Sequence, residues 1–234
     1  MVERSHGMGE AVGSTPARST YKMHKHKKIT FKNNLGNKLV GIIESKLNKN
    51  KPTIVICHGY KGSKNSFFKL AKLLNKENFN ILRFDFSSHG ESEGSGIITV
   101  DQQVNDLLSA INYLKTKNIT KNINLFGFSL GGTTAILYTA KYNKVKSLVL
   151  GSPASISNFT KQNVFKEAKK IKCPKLIIHG TADDLVPIWQ SEELVKRIPN
   201  AKLESIKEAD HIYSNKEHDE IFNNLTIKFF KENA

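Results

Sequence analysis

Between Asn122 and Tyr142 the hydrophobic pattern changes period abruptly, from a short apolar strand to a helix. The change occurs across Gly127-Phe128-Ser129-Leu130-Gly131-Gly132. A strand that enters a helix through so few residues must turn sharply, and the residue at the corner is held in a strained backbone conformation. Glycines two positions to either side of Ser129 remove the side chains that would crowd such a corner. The turn lifts the serine hydroxyl clear of the sheet and sets it at the start of a helix, where the helix dipole favours developing negative charge.

The rest of the chain repeats the strand-then-helix rhythm. Residues 28–33 and 38–44 read as a hairpin around Asn33-Asn34-Leu35-Gly36-Asn37. Thr53–Cys57 is a continuous β-branched run, the mark of a strand covered on both faces. Helical spacing follows over 66–77, a strand over Asn80–Phe86 and an amphipathic helix over Val100–Lys117. Strands over Val145–Gly151, Lys175–His179 and Lys202–Ile206 alternate with helices over 161–170, Trp189–Arg197 and 216–232. Such alternation requires right-handed crossovers and an α/β fold, a mostly parallel central sheet with helices on both faces. In sheets of this kind ligands bind beyond the carboxyl ends of the strands.

Length and composition set the frame. At 234 residues with 38% hydrophobic and 24% charged content, the chain suits one soluble domain over residues 28–234. Residues 1–27 read as a disordered or artificially appended tail, with Met23 a possible internal start. No apolar run reaches the ~18 residues of a membrane span, and no secretory signal is visible. Cys57 and Cys173 sit in or beside apolar runs, as buried thiols in a reducing, cytoplasmic setting rather than a disulfide or metal site. The net charge of +15 is spread over scattered lysines without interleaved aromatics. That pattern is a solvated surface; neither nucleic acid nor membrane is expected as a partner, and no metal or organic cofactor is implied.

The chemistry-bearing residues follow the strands. A serine hydroxyl is a weak nucleophile and needs a base, which in turn needs an orienting acid. Glycine-flanked Ser129 is the nucleophile on this reading, and the strand–turn–helix setting is that of a nucleophile elbow. The loop after Lys175–His179 carries Asp183-Asp184, and the loop after Lys202–Ile206 carries Asp210-His211. The order serine, acid, histidine is the one this kind of sheet imposes. Asp183 is the leading acid, with Asp184 the alternative. His211 is the base, since the other seven histidines lie in the tail, at strand ends, in a turn or in the last helix. Two amides should face the developing oxyanion. Leu130, after the nucleophile, supplies one, and Tyr60, in His58-Gly59-Tyr60-Lys61-Gly62, is the candidate for the other.

Taken together, His58-Gly59-Tyr60, Leu82–Ser92, Gly127–Gly132, His179–Asp183 and Asp210-His211 resemble, in order and spacing, the α/β-hydrolase esterases. The likeness leans toward cinnamoyl (feruloyl) esterases and monoglyceride-lipase-like enzymes, and it runs from about residue 30 to the end. It implies a serine carboxylesterase acting through an acyl-enzyme on a small-molecule ester, as a monomer or homodimer. It also favours Asp183 over its neighbour, and implies that Arg83–Ser92 is a structural turn. Three positions depart from the pattern. Phe128 stands where many relatives have histidine, and Ser88 replaces a common glycine. The stretch from Gly151 to Pro174 is short for a lid, implying small or accessible esters. A peptidase or acyltransferase on the same scaffold, or a non-catalytic small-molecule receptor, remain alternatives.

Overall fold

The computed structural model describes residues 26–119, 122–156, 159 and 164–234. The tail reading for residues 1–27 falls almost wholly on positions outside the described residues. Eight strands form one sheet: β1 (Lys27–Lys32), β2 (Lys38–Ile43), β3 (Thr53–Cys57), β4 (Asn80–Phe84), β5 (Ile123–Phe128), β6 (Leu148–Gly151), β7 (Lys175–Gly180) and β8 (Ala201–Ile206). Their order is β1-β2-β4-β3-β5-β6-β7-β8. β1 and β2 pair antiparallel, β2 meets β4 antiparallel, and every other pair is parallel. The helices are α1 (Phe68–Lys76), α2 (Val100–Thr116), α3 (Leu130–Tyr142), α4 (Val164–Ala168), α5 (Trp189–Arg197) and α6 (Lys216–Asn233).

Strand alternation divides the core into two layers. Val55 and Cys57 of β3 and Leu125 of β5 pack against α2, α3, α4 and α5. Ile54, Ile56 and Phe126, from the same strands, pack against α1 and α6 on the opposite face. Burial on both faces is why the central strands read as unbroken apolar runs. From β3 the chain steps outward to β4 and then crosses back to β5. The loops after β3 and β5 therefore flank the point where strand order reverses, the usual crevice of such sheets. No helix among the described residues is long and apolar enough to cross a membrane.

Several element ends differ from the sequence expectation, each for a local reason. Asn33 leaves the β1 ladder because its side chain accepts from the Leu35 and Asn37 amides and donates to Ser87 and Asp106. β4 stops at Phe84, and Asp85 beyond it takes the Lys64 ammonium and the Lys64 and Glu91 amides. The helix expected over 161–170 is the short α4; residues 161–163 lie outside the described set. Lys170 and Ile171 close its end with tight turns onto Glu167 and Ala168, which tucks Ile171 into the core. Ser88, where a glycine is common, adopts φ 63°, the left-handed region that glycine occupies without strain.

α3 is buried along nearly its whole length, and Gly131 is the point of closest approach. A methyl group there would run into the carbonyl oxygens of Cys57 and His58, backbone atoms that cannot swing aside. Helix propensity favours alanine over glycine by about 1 kcal/mol, but overpacking against backbone costs about 1–3 kcal/mol or more. The clash outweighs the propensity. Gly131→Ala is expected to lower the urea midpoint, with a net loss of about 2 kcal/mol; an unchanged or raised midpoint would contradict this packing.

Candidate active site

Ser129 sits at the corner between β5 and α3 with φ 52° and ψ −120°. This is a left-handed, strained conformation for a residue with a side chain, of the order of 1–3 kcal/mol. The surrounding structure enforces it. A Cβ on Gly127 would lie 2.6 Å from the Gly131 carbonyl and 2.8 Å from the Gly132 Cα, so both flanking glycines are required by close approach. Ser129 also anchors the chain around it, its amide donating to Gly151 and its carbonyl receiving the Gly132 amide.

The serine hydroxyl lies 3.1 Å from His211 Nε2, and His211 Nδ1 lies 2.7 Å from Asp183 Oδ2. All three residues are buried to 9% exposure or less. It is Asp183 that meets the histidine; Asp184 is exposed. The loops carrying acid and base are stitched together. Thr181 donates its amide to Ile206, Ala182 to Ala209, and Glu208 to the Thr181 hydroxyl at 2.8 Å. Gly180 passes so close to the Ala209 carbonyl that no side chain would fit. Asp210 caps the far end of the His211 loop by accepting the Ser214 amide.

The acid has a partner that the sequence reading placed only at a strand end. His179, fully buried at the end of β7, places Nε2 3.0 Å from the same Asp183 Oδ2 that meets His211. The same Nε2 lies 2.8 Å from the Val186 carbonyl, which can only accept, so Nε2 carries the proton and Nδ1 accepts from the Ser191 hydroxyl at 2.6 Å. The second carboxylate oxygen, Oδ1, accepts the Leu185 and Val186 amides at 3.0 and 2.8 Å. Burial alone would raise the Asp183 pKa. The hydrogen bonds from His179, His211 and the Val186 amide outweigh it and hold the carboxyl far below the usual carboxylate range. No periodicity signals this contact; the hint was a histidine ending a strand four residues before the acid.

On the other side of Ser129 lies the loop after β3. A methyl group on Gly59 would stand 3.1 Å from the Ser129 Cβ and 3.2 Å from the Phe128 ring. The Tyr60 amide follows directly. Leu130 is the first residue of α3, so its amide has no intrahelical acceptor. Gly59, next to Tyr60 in the chain, and Leu130 thus lie beside the serine. His58 steadies their loop: it accepts the Phe86 amide at Nε2, 3.2 Å, and donates from Nδ1 to the Gly59 carbonyl, 2.8 Å. Burial pushes its pKa down to about 4, only partly offset by the Gly59 carbonyl.

His58 therefore carries a pH signature. In the unfolded chain it titrates near its ordinary ~6.5, but folded it stays neutral to about 4. The stability this provides is fully present above ~6.5 and is lost as pH falls through about 4, up to about 3 kcal/mol. Thermal melts of wild type and His58→Gln between pH 7 and 4 check this. The variant should show the shallower decline; parallel curves would refute it.

Comparison with known proteins agrees with this architecture. Residues 48–161 match the serine aminopeptidase S33 family model, and residues 138–234 match the prolyl oligopeptidase family model. The Pyrococcus furiosus esterase Pf2001 superposes with a TM-score of 0.77 at 23% identity, covering 89% of this chain and 91% of that one. Est1E from Butyrivibrio proteoclasticus, solved with ferulic acid bound, gives a TM-score of 0.79 at 22% identity, covering 87% and 98%. The chain has the α/β-hydrolase fold. Among curated proteins, Salmonella typhi YfhR is 28% identical over 190 residues, 68% of this chain. The match spans 64% of the length of that relative. Human monoacylglycerol lipase ABHD6 is 29% identical over 125 residues, 52% of this chain and 36% of the lipase.

Proposed function

We propose that this α/β-hydrolase is a serine carboxylesterase acting through an acyl-enzyme. The observation that carries the reading is the unbroken chain from the Ser129 hydroxyl through His211 to Asp183. Its nucleophile is held in a strained turn at a helix start. In the first half-reaction His211 Nε2 takes the Ser129 proton as the oxygen attacks the ester carbonyl. The Tyr60 and Leu130 amides receive the oxyanion as it forms. His211 then returns the proton to the departing alcohol. In the second half a water, deprotonated by the same nitrogen, releases the carboxylic acid. Asp183 fixes the imidazole tautomer and faces the positive charge that develops on it. The similarity to structures named as esterases supports an ester rather than another carbonyl substrate.

Mixing enzyme with excess p-nitrophenyl acetate should give a burst of about one nitrophenolate per active site, the sign of acyl-enzyme accumulation. A fluorophosphonate probe should label Ser129 and abolish the burst. Labelling at another residue, or none, would remove the basis of this reading. A peptidase reading has a specific observation in its favour, the match of residues 48–161 to the serine aminopeptidase model. Turnover of aminoacyl p-nitroanilides above that of the matched esters would favour it.

A further inference from the structure

A cleft of about 500 Å³ opens beside the nucleophile, between the loop after β3, α1 and α6. That volume lies within the ~300–1,000 Å³ typical of small-molecule sites. Its apolar wall is mostly aromatic, formed by Tyr60, Phe67, Phe68, Leu70, Phe128 and Ile212, with Lys61, Ser66 and Asn223 among the polar residues that complete the lining. Two of its bordering residues adjoin Ser129. Phe128 precedes it in the chain, and Gly59 is pressed against its Cβ. At the outer end, Lys69 of α1 and Asp219 of α6 form an ion pair at 2.5 Å and tie the two helices together across the cleft.

The backbone is distorted to build this wall. Phe67 adopts φ 58° and ψ 25°, a left-handed conformation that is a genuine outlier for a bulky residue. Its ring lies 4.9 Å from both Phe126 and Phe128 and 6.4 Å from Phe222, so packing holds it there. Phe128, in turn, lies with its ring centroid 5.0 Å from that of His211. Strain that persists under such packing is a pointer to function rather than an accident of folding.

We propose that this cleft receives the acyl group of the substrate, and that the group is an apolar alkyl or aryl chain extending toward α1 and α6. Phe67 and Phe128 are then specificity-determining residues. The proposal rests on the esterase reading above. The acyl group is bonded to Ser129 in the acyl-enzyme between the two half-reactions, and Gly59 and Phe128, which line the cleft, adjoin that residue.

The test uses two ester series on wild type, Phe67→Ala and Ser66→Trp, with active sites counted by fluorophosphonate titration. One series varies the acyl chain of p-nitrophenyl esters from acetate to decanoate. The other varies the alcohol of alkyl acetates. A methylene entering an apolar pocket is worth up to about fourfold, so wild type should favour hexanoate over acetate by at least ~10-fold in kcat/KM. Ser66 lines the cleft, and a tryptophan there fills it; the hexanoate-to-acetate ratio should fall about tenfold. Phe67→Ala should move the preferred chain at least two carbons longer. Ratios unchanged in both variants, or a length dependence confined to the alcohol series, would overturn the proposal while leaving the esterase reading intact. A wild type with neither Ser129 labelling nor ester turnover would sink that reading, and this one with it.

Discussion

Ser129→Ala should lower kcat/KM for p-nitrophenyl acetate by on the order of 10⁵-fold. The loss is large because no other group near the ester carbonyl can form the acyl bond. It is not total, since the proposed oxyanion donors, the Tyr60 and Leu130 amides, belong to the backbone and remain in the alanine variant. Adding His211→Ala should cost little more, because nucleophile and base act as one unit and their losses do not add. A residual rate within tenfold of wild type would show that the hydroxyl is not the attacking group. Stability should move the other way with a different substitution. Ser129 makes no side-chain cap bond to α3, so its removal breaks no helix contact. Alanine at φ 52° keeps the strain, whereas Ser129→Gly releases it. The glycine variant should therefore unfold at higher urea concentration than the alanine one, by about 1 kcal/mol after the entropy glycine adds to the unfolded chain.

Asp183→Asn should lower kcat by about 10⁴-fold with the fold retained at reduced stability. The argument is one of proton positions. Asp183 Oδ1 is committed to the Leu185 and Val186 amides, so an asparagine must place its oxygen there and turn its NH2 toward the two imidazoles. His211 must then accept at Nδ1, which leaves Nε2 protonated and facing Ser129, unable to take the hydroxyl proton. His179 faces the same donor with a nitrogen that already carries a proton, 3.0 Å from the oxygen in the wild type. His179 keeps the Val186 carbonyl at 2.8 Å as its acceptor, so it is the asparagine's second N–H that is left buried without one, at a cost of about 1–3 kcal/mol. Rates of the variant rising steeply with alkaline pH would fit the tautomer account. A variant within tenfold of wild type at neutral pH would refute it.

The parts of this molecule that follow from local pattern were legible in the sequence. β3 and α3 have the expected limits, because an unbroken β-branched run and a glycine-bounded corner each leave few alternatives. Ser129, Asp183 and His211 each stand on a loop following a parallel strand, which sequence order and strand spacing express directly. What was not legible depends on residues brought together from afar. The pairing of His179 with Asp183 needs the depth of β7 and the approach of Ser191 from α5. The burial of Lys64 against Asp85 and Glu91 looks, in sequence, like an ordinary surface lysine. Phe67 gives no sign in its neighbours that its backbone is left-handed; only the three phenylalanine rings around it explain that. The early end of β4 has the same origin, since Asp85 is drawn into contacts with the loop after β3.

The bonds joining the Asp183 and His211 loops have a further consequence. The proton relay is knitted together by main-chain contacts at the β7–β8 end of the sheet, whereas the aromatic cleft is built from α1, α6 and the turn after β3. If the cleft selects the substrate as proposed, reaction and selection meet at Phe128 and Ile212, which line the cleft beside Ser129 and His211. On that reading, changes at α1, α6 and Tyr60 could alter the preferred substrate while the bonds that hold Asp183 and His211 stay as they are.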